Sequence, residues 1–168
     1  FSAKDPIKAI ANMHDRGNGL GGGFAAYGIY PEYKDDYVFH IMFLDREAKK
    51  KTSRLISECF NIVNEEEMPT QEANVSDPPI MWRYFVQPKP SKIEGQTPDD
   101  FIMEKVTRIN TETGRAFVFS SGKNMGVFKG VGFPDEIGEF FRLPDYDAWT
   151  WIGHTRFPTN TPGWWGGA

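Results

Sequence analysis

Arg156 is the residue to which the chemistry of this chain points first. It closes the run Gly153-His154-Thr155-Arg156 and stands among Trp149, Trp151 and Phe157. A guanidinium in that company is either a cation–π partner or a fork for a carboxylate. Thr159, Asn160 and Thr161 follow in a loop bounded by Pro158 and Pro162. Their short hydroxyl and amide groups can hold an ammonium or an amide. A carboxylate fork beside such groups suits an amino-acid ligand. The competing reading is a surface loop with an aromatic wedge.

The other chemistry-bearing motifs are weaker. Gly17-Asn18-Gly19-Leu20-Gly21-Gly22 matches the GxGxxG pattern. A dinucleotide fingerprint must follow a strand and open a helix, because the pyrophosphate rests on the helix N-terminus. Here a helix precedes and a strand follows, which argues against that use. The loop reads instead as a helix stop with close backbone approach, or as a loop passing beside a catalytic centre. His14, His40 and His154 share no metal-ligand spacing, so no metal is expected. No Ser or Cys sits in a nucleophile elbow, and Ser120-Ser121-Gly122-Lys123 lacks the full phosphate-loop pattern. Cys59 is the single cysteine, so no disulfide forms within the chain. It falls on a helical apolar stripe and reads as a buried structural thiol.

The elements that must position these groups can be read from periodicity and punctuation. Asp5-Pro6, with Ile7, Ile10 and Met13, predicts a short helix capped by Asp5, with Met13 to Arg16 as its last turn. Phe24 to Tyr30 and Tyr37 to Leu44 read as strands. Asp45 caps a helix expected to run to about Glu65, with Leu55, Ile56, Cys59, Phe60 and Val63 on its apolar face. Residues 66–79 read as a loop and Ile80 to Val86 as an aromatic strand. Thr97-Pro98-Asp99-Asp100 opens a second long helix, which Gly114 closes. Arg115 to Ser121 reads as a strand, 122–132 as a short strand or loop pair, Pro134 to Leu143 as a helix, and Ala148 to Ile152 as a strand. The segment from about 35 to 113 reads as a compact α/β insertion.

Length and composition bound the classes. The 168 residues are one domain's worth of polymer, and 14 Phe, 6 Tyr and 5 Trp exclude a disordered chain. The net charge of −4 leaves no broad basic surface for nucleic acid or an anionic membrane. Lys49-Lys50-Lys51 reads as a solvated helix face. No apolar run reaches the ~20 residues of a membrane span, and the single cysteine fits a cytoplasmic location. Phe1 at one end, and a Trp164-Trp165 pair close to the other, read as interior points of a longer polypeptide.

Three segments, in order, carry a family resemblance. Gly153-His154-Thr155-Arg156-Phe157 with Thr159-Asn160-Thr161 resembles the glutamine-binding motif of class II glutamine amidotransferases, in the form seen in glutamate synthases. Met13 to Phe24, with His14, Arg16 and the glycine run, resembles the helix–loop–strand element of that family. Ser120 to Gly132 resembles the stretch before the Arg motif in the archaeal-type glutamate synthase amidotransferase subunit. Residues 35–113 carry no matching motif.

The resemblance implies an α+β fold of the N-terminal-nucleophile hydrolase type, a four-layer α/β/β/α sandwich. It implies glutaminase activity, the release of ammonia from glutamine for a synthase domain or subunit. No cofactor is implied, and an oligomer is allowed. Arg156 would grip the glutamine carboxylate, Thr159 and Asn160 would line its other polar groups, and Phe157 would add backbone contacts. Arg16, Gly17 and Gly19 would pack against the nucleophile's loop. The family's attacking group is an N-terminal Cys that acts through its own amine, and an Asn-Gly pair forms its oxyanion hole. Neither Phe1 nor Ser2 fits the first role, so residues 1–168 read as a partial domain with no catalytic residue of their own. A catalytically inactive amino-acid-binding or subunit-interaction module is the alternative. An unrelated α/β domain whose Arg156 only stacks on Trp is a weaker third.

Overall fold

The computed structural model describes residues 1–155 and 163–167. The described chain is α+β, with four α-helices and two antiparallel sheets. It divides into two compact units. The first comprises Phe1–Pro31, Met68–Pro78 and Met125–Ala168, and the second Glu32–Glu67 and Pro79–Asn124. The segment read as an insertion, 35–113, falls mostly in the second unit. That unit also takes in residues up to Asn124 and leaves out 68–78.

The first unit holds α1 (Lys4–Ala11), β1 (Gly22–Tyr27), β6 (Met125–Gly130), α4 (Pro134–Phe140) and β7 (Thr150–His154). Its sheet has the order β6-β1-β7, with β1 antiparallel to both neighbours. Strand alternation divides the side chains between two faces. Phe24, Ala26 and Phe128 are buried with Ile137, Phe141 and Leu143 on one. Tyr27 and Ile152, on the other, are 43% and 54% exposed.

The second unit holds β2 (Tyr37–Phe43), α2 (Arg46–Cys59), β3 (Phe60–Glu67), β4 (Ile80–Pro88), α3 (Pro98–Glu112) and β5 (Ala116–Ser120). Its sheet order is β3-β4-β2-β5, and every residue of β2 is buried. Phe39, Ile41, Phe43 and Tyr84 form a core with Ile56 of α2 and Phe101, Ile102 and Ile109 of α3. Both long helices start where the caps predict. Asp45 accepts from the Ala48 amide at 2.8 Å, and Thr97 accepts from the Asp100 amide at 3.1 Å. Tyr37 donates to Asp99 at 2.5 Å, and burial and that carboxylate push its phenol up to about 12. Register also sets Ser120, His40, Arg83 and Glu66 in one row across the four strands. His40 is fully buried there, and Arg83 pairs with Glu66 at 2.9 Å.

Several sequence readings are corrected. The helix expected to reach Glu65 stops at Cys59, and Phe60–Glu67 is strand β3. Phe60 is buried as expected, but Ile62 and Val63 are 37% and 49% exposed, so the apolar stripe ends. Pairing with β4 from Phe60↔Pro88 to Glu67↔Trp82 satisfies the backbone and outweighs the helical spacing. The first helix is capped at Ala3 without a side-chain bond, and Asp5 lies inside its first turn. His14–Arg16 is a separate 3-10 turn. The helix expected through Leu143 ends at Phe140, before Arg142 turns left-handed at φ +53. The first strand runs from Gly22 and the last from Thr150, and the glycine-rich 122–132 region contains β6.

Candidate functional site

The three segments singled out in the sequence each contribute one strand to the same sheet. The glycine run enters β1, the Ser120–Gly132 stretch contains β6, and the strand before Arg156 is β7. Their register sets Lys129 and His154 on either side of Gly23. Directly paired residues project to one face of a sheet. The bare backbone of Gly23 therefore separates an ammonium from an imidazole. A Cβ at Gly23 would lie 2.5 Å from the Phe128 carbonyl oxygen and 3.0 Å from the Lys129 Cα, so no side chain fits.

Electrostatics at this row favour the neutral imidazole. Burial lowers the Lys129 ammonium below its ordinary value. His154 is exposed at its outer edge, yet partial desolvation first, and then the charge of Lys129, hold it below 6.5. An imidazole neutral at physiological pH offers one donor and one acceptor.

The glycine loop ahead of β1 is clamped by Phe133, which immediately precedes α4. A Cβ at Gly17 would lie 3.0 Å from the Phe133 ring, and one at Gly19 3.2 Å from it. Gly19 also takes φ +69, a conformation costly for a residue with a side chain. His14 stacks on the same ring at 4.0 Å between centroids. The Leu20 amide donates to Asn18 Oδ1 at 3.1 Å, closing a local turn. The Phe133 amide donates to Glu136 at 2.8 Å, which fixes the ring at the head of α4. Arg16 is exposed at the end of its turn, and its guanidinium makes no hydrogen bond or ion pair among the described residues.

Arg156, Phe157, Thr159 and Asn160, the expected substrate-binding residues, lie outside the described residues. β7 delivers His154 opposite Gly23, and Gly163 returns against Leu20 of the glycine loop. A Cβ at Gly163 would stand 2.7 Å from the Leu20 carbonyl oxygen. Trp165 then anchors the chain, with its ring over Gly130 and its Nε1 donating to the Ser76 carbonyl at 2.8 Å.

No family model matches the chain. It is 55% identical over 173 residues to an uncharacterized protein of Archaeoglobus fulgidus. That match takes in all of this chain and 46% of the relative, so the chain spans about half the length of the protein it matches.

Lys129 and Phe133 did not emerge from sequence reading. Lys129 sits on a strand whose partner cannot be known without the register. Phe133 carries only the signal of an aromatic before a helix-opening Pro134. Ser2, near the start of the chain, and Cys59, its single thiol, are both engaged elsewhere. Ser2 donates to the Pro144 carbonyl at 3.2 Å, and Cys59 is buried in the core of the second unit. Among the described residues, no group of three or more His, Cys, Asp or Glu could hold a metal ion, and no helix is long and apolar enough to cross a membrane.

Proposed function

We propose that the chain is the glutamine-gripping part of a class II glutamine amidotransferase domain, built on the N-terminal-nucleophile hydrolase sandwich. In this reading the whole protein hydrolyses glutamine to glutamate and ammonia, and a glutamate-synthase-like domain or subunit consumes the ammonia. The observation that carries the reading is the meeting of three family-like segments, far apart in sequence, as adjacent strands β6-β1-β7. Two antiparallel sheets accompanied by helices are also the parts from which an α/β/β/α sandwich is made.

The roles follow from side-chain chemistry. Arg156 offers a bidentate fork to the substrate α-carboxylate. Thr159 and Asn160 bind the ammonium and the amide, and Phe157 contributes its backbone. The Gly17–Gly19 turn, with Arg16 at its head, packs against the nucleophile's loop. This reading assigns the attacking thiol and the oxyanion hole to no residue of 1–168. No cofactor takes part in this half-reaction.

The test is glutamate and ammonia release by the full-length protein, with and without a synthase partner and 2-oxoglutarate. Turnover is expected; absence of hydrolysis under both conditions overturns an enzymatic role. A second reading, an amino-acid-binding module without turnover, is favoured by the engagement of Ser2 and Cys59. Glutamine binding without hydrolysis by the full-length protein would select it.

A further inference from the structure

A basic cleft in the second unit uses none of the glutamine-motif residues. Arg46, Lys49 and Lys50 are spaced i, i+3 and i+4 along α2, so they share one side of the helix. With Glu67 from the end of β3 and Ile80 and Trp82 from the start of β4, they line a cavity of about 490 Å³. That is within the size range of small-molecule sites. The Lys49 ammonium lies 3.7 Å from the centroid of the Trp82 ring. Among the described residues, none of the three cations is ion-paired with a carboxylate. The Trp82 Nε1 is buried and has no hydrogen-bond partner among them.

The charge around this cleft needs a reason. Three cations against Glu67 leave a local excess of two positive charges in a chain whose net charge is −4. They gather at the N-terminal end of α2, where the helix dipole disfavours cations, so the helix is not what they stabilise. A solvated basic face would account for Lys51, which is exposed and does not line the cleft. It does not account for the half-buried Lys49, whose ammonium lies over the Trp82 indole, nor for the cavity that Arg46 and Lys50 line beside it.

We propose that this cleft binds a small phosphate monoester bearing a planar group. Arg46, Lys49 and Lys50 hold the dianionic phosphate with charge-assisted hydrogen bonds. The phosphate draws Lys49 off the indole, and the planar group takes its place against Trp82 and Ile80. The cation–π contact is thereby exchanged for a stack. Glu67 accepts from a hydroxyl or amine of the ligand.

The experiment titrates the isotope-labelled chain with AMP, adenosine and inorganic phosphate, and follows the Trp82 indole N–H resonance, assigned with Trp82→Phe. AMP is expected to shift that resonance and to bind about tenfold or more tighter than either fragment, because it engages both halves of the cleft. Lys50→Glu should weaken AMP binding about tenfold or more, the scale of a lost hydrogen bond to a charged group. Lys51→Glu, an equal charge change outside the cleft, should leave it unchanged. If Lys50→Glu fails to fold, Lys50→Gln gives the same ordering. The proposal is overturned if AMP and phosphate both leave Trp82 unperturbed. It is equally overturned if the Lys51 variant loses as much affinity as the Lys50 variant.

Discussion

Gly23 faces His154 across the β1–β7 pair, and the side chain it lacks leaves the imidazole to share that sheet face with Lys129. This relationship joins the glycine loop to the strand that precedes Arg156. It also makes the protonation of His154 a reporter of the site.

His154 should titrate below 6.5, because partial desolvation and then the charge of Lys129 disfavour its imidazolium. Lys129→Met removes the like charge and should raise the midpoint, read by NMR of the ring protons. The stability effect has a definite sign. The unfolded chain binds more protons between its own value near 6.5 and the depressed folded one, so stability rises with pH in that window. Above about 6.5 the group contributes no slope. As pH falls through 6.5 toward the folded value, stability is lost, and His154→Gln should remove that loss in urea melts across acidic to neutral pH.

Gly23→Ala should destabilise the chain by about 1–3 kcal/mol, the usual cost of forcing a methyl into packed backbone. The new Cβ would press on the Phe128 carbonyl 2.5 Å away, and backbone cannot rotate aside as a side chain can. Thermal unfolding measures it. A wild-type midpoint would show that β6 slides freely past β1, contrary to this packing.

Phe133→Ala removes the ring on which both His14 and the glycine loop rest. The ring is only partly buried, so the expected loss is about 1–3 kcal/mol, below that of a fully buried Phe. Hydrogen exchange should accelerate at Gly17 to Leu20 while α2 and α3 keep their protection. Uniform acceleration throughout the chain would show that Phe133 supports global stability instead.

Arg156→Lys separates a carboxylate fork from a stacked cation. A fork loses its bidentate geometry, so glutamine affinity should fall about tenfold or more while the melting temperature holds. A cation stacked on Trp gives the opposite pattern, with stability reduced and glutamine affinity unchanged. Calorimetric titration with glutamine and a thermal melt of the same variant distinguish the two.

Local signals were legible where they were strong. Asp45 and Thr97 announce their helices because a short polar side chain before an apolar period satisfies free amides. Gly114, at φ +64, ends α3 as glycine after a helix does. The switch from α2 to β3 was not legible, because Phe60 and Val63 continue the helical spacing and only pairing with β4 rules against it. The same limit applied to the site. Each of its three segments could be found by eye, but the Lys129–Gly23–His154 row exists only through register. The hold of Phe133 on Gly17 and Gly19 is a tertiary contact without a sequence mark.

The pairing of β1 with β7 has a further consequence, for the order of assembly. Both stretches of the second unit, Glu32–Glu67 and Pro79–Asn124, lie between those two strands in the chain. During synthesis the second unit's last strand, β5, is complete before β6 and β7 exist. Domains fold as their residues emerge, and long-range strand pairing is slow. The inner unit can therefore close while β1 waits with both edges bare. A waiting strand edge is the site at which a nascent chain aggregates. Gly22 and Gly23 at its head carry no side chain to fix a register, so the register of β1 is set only when β6 and β7 arrive.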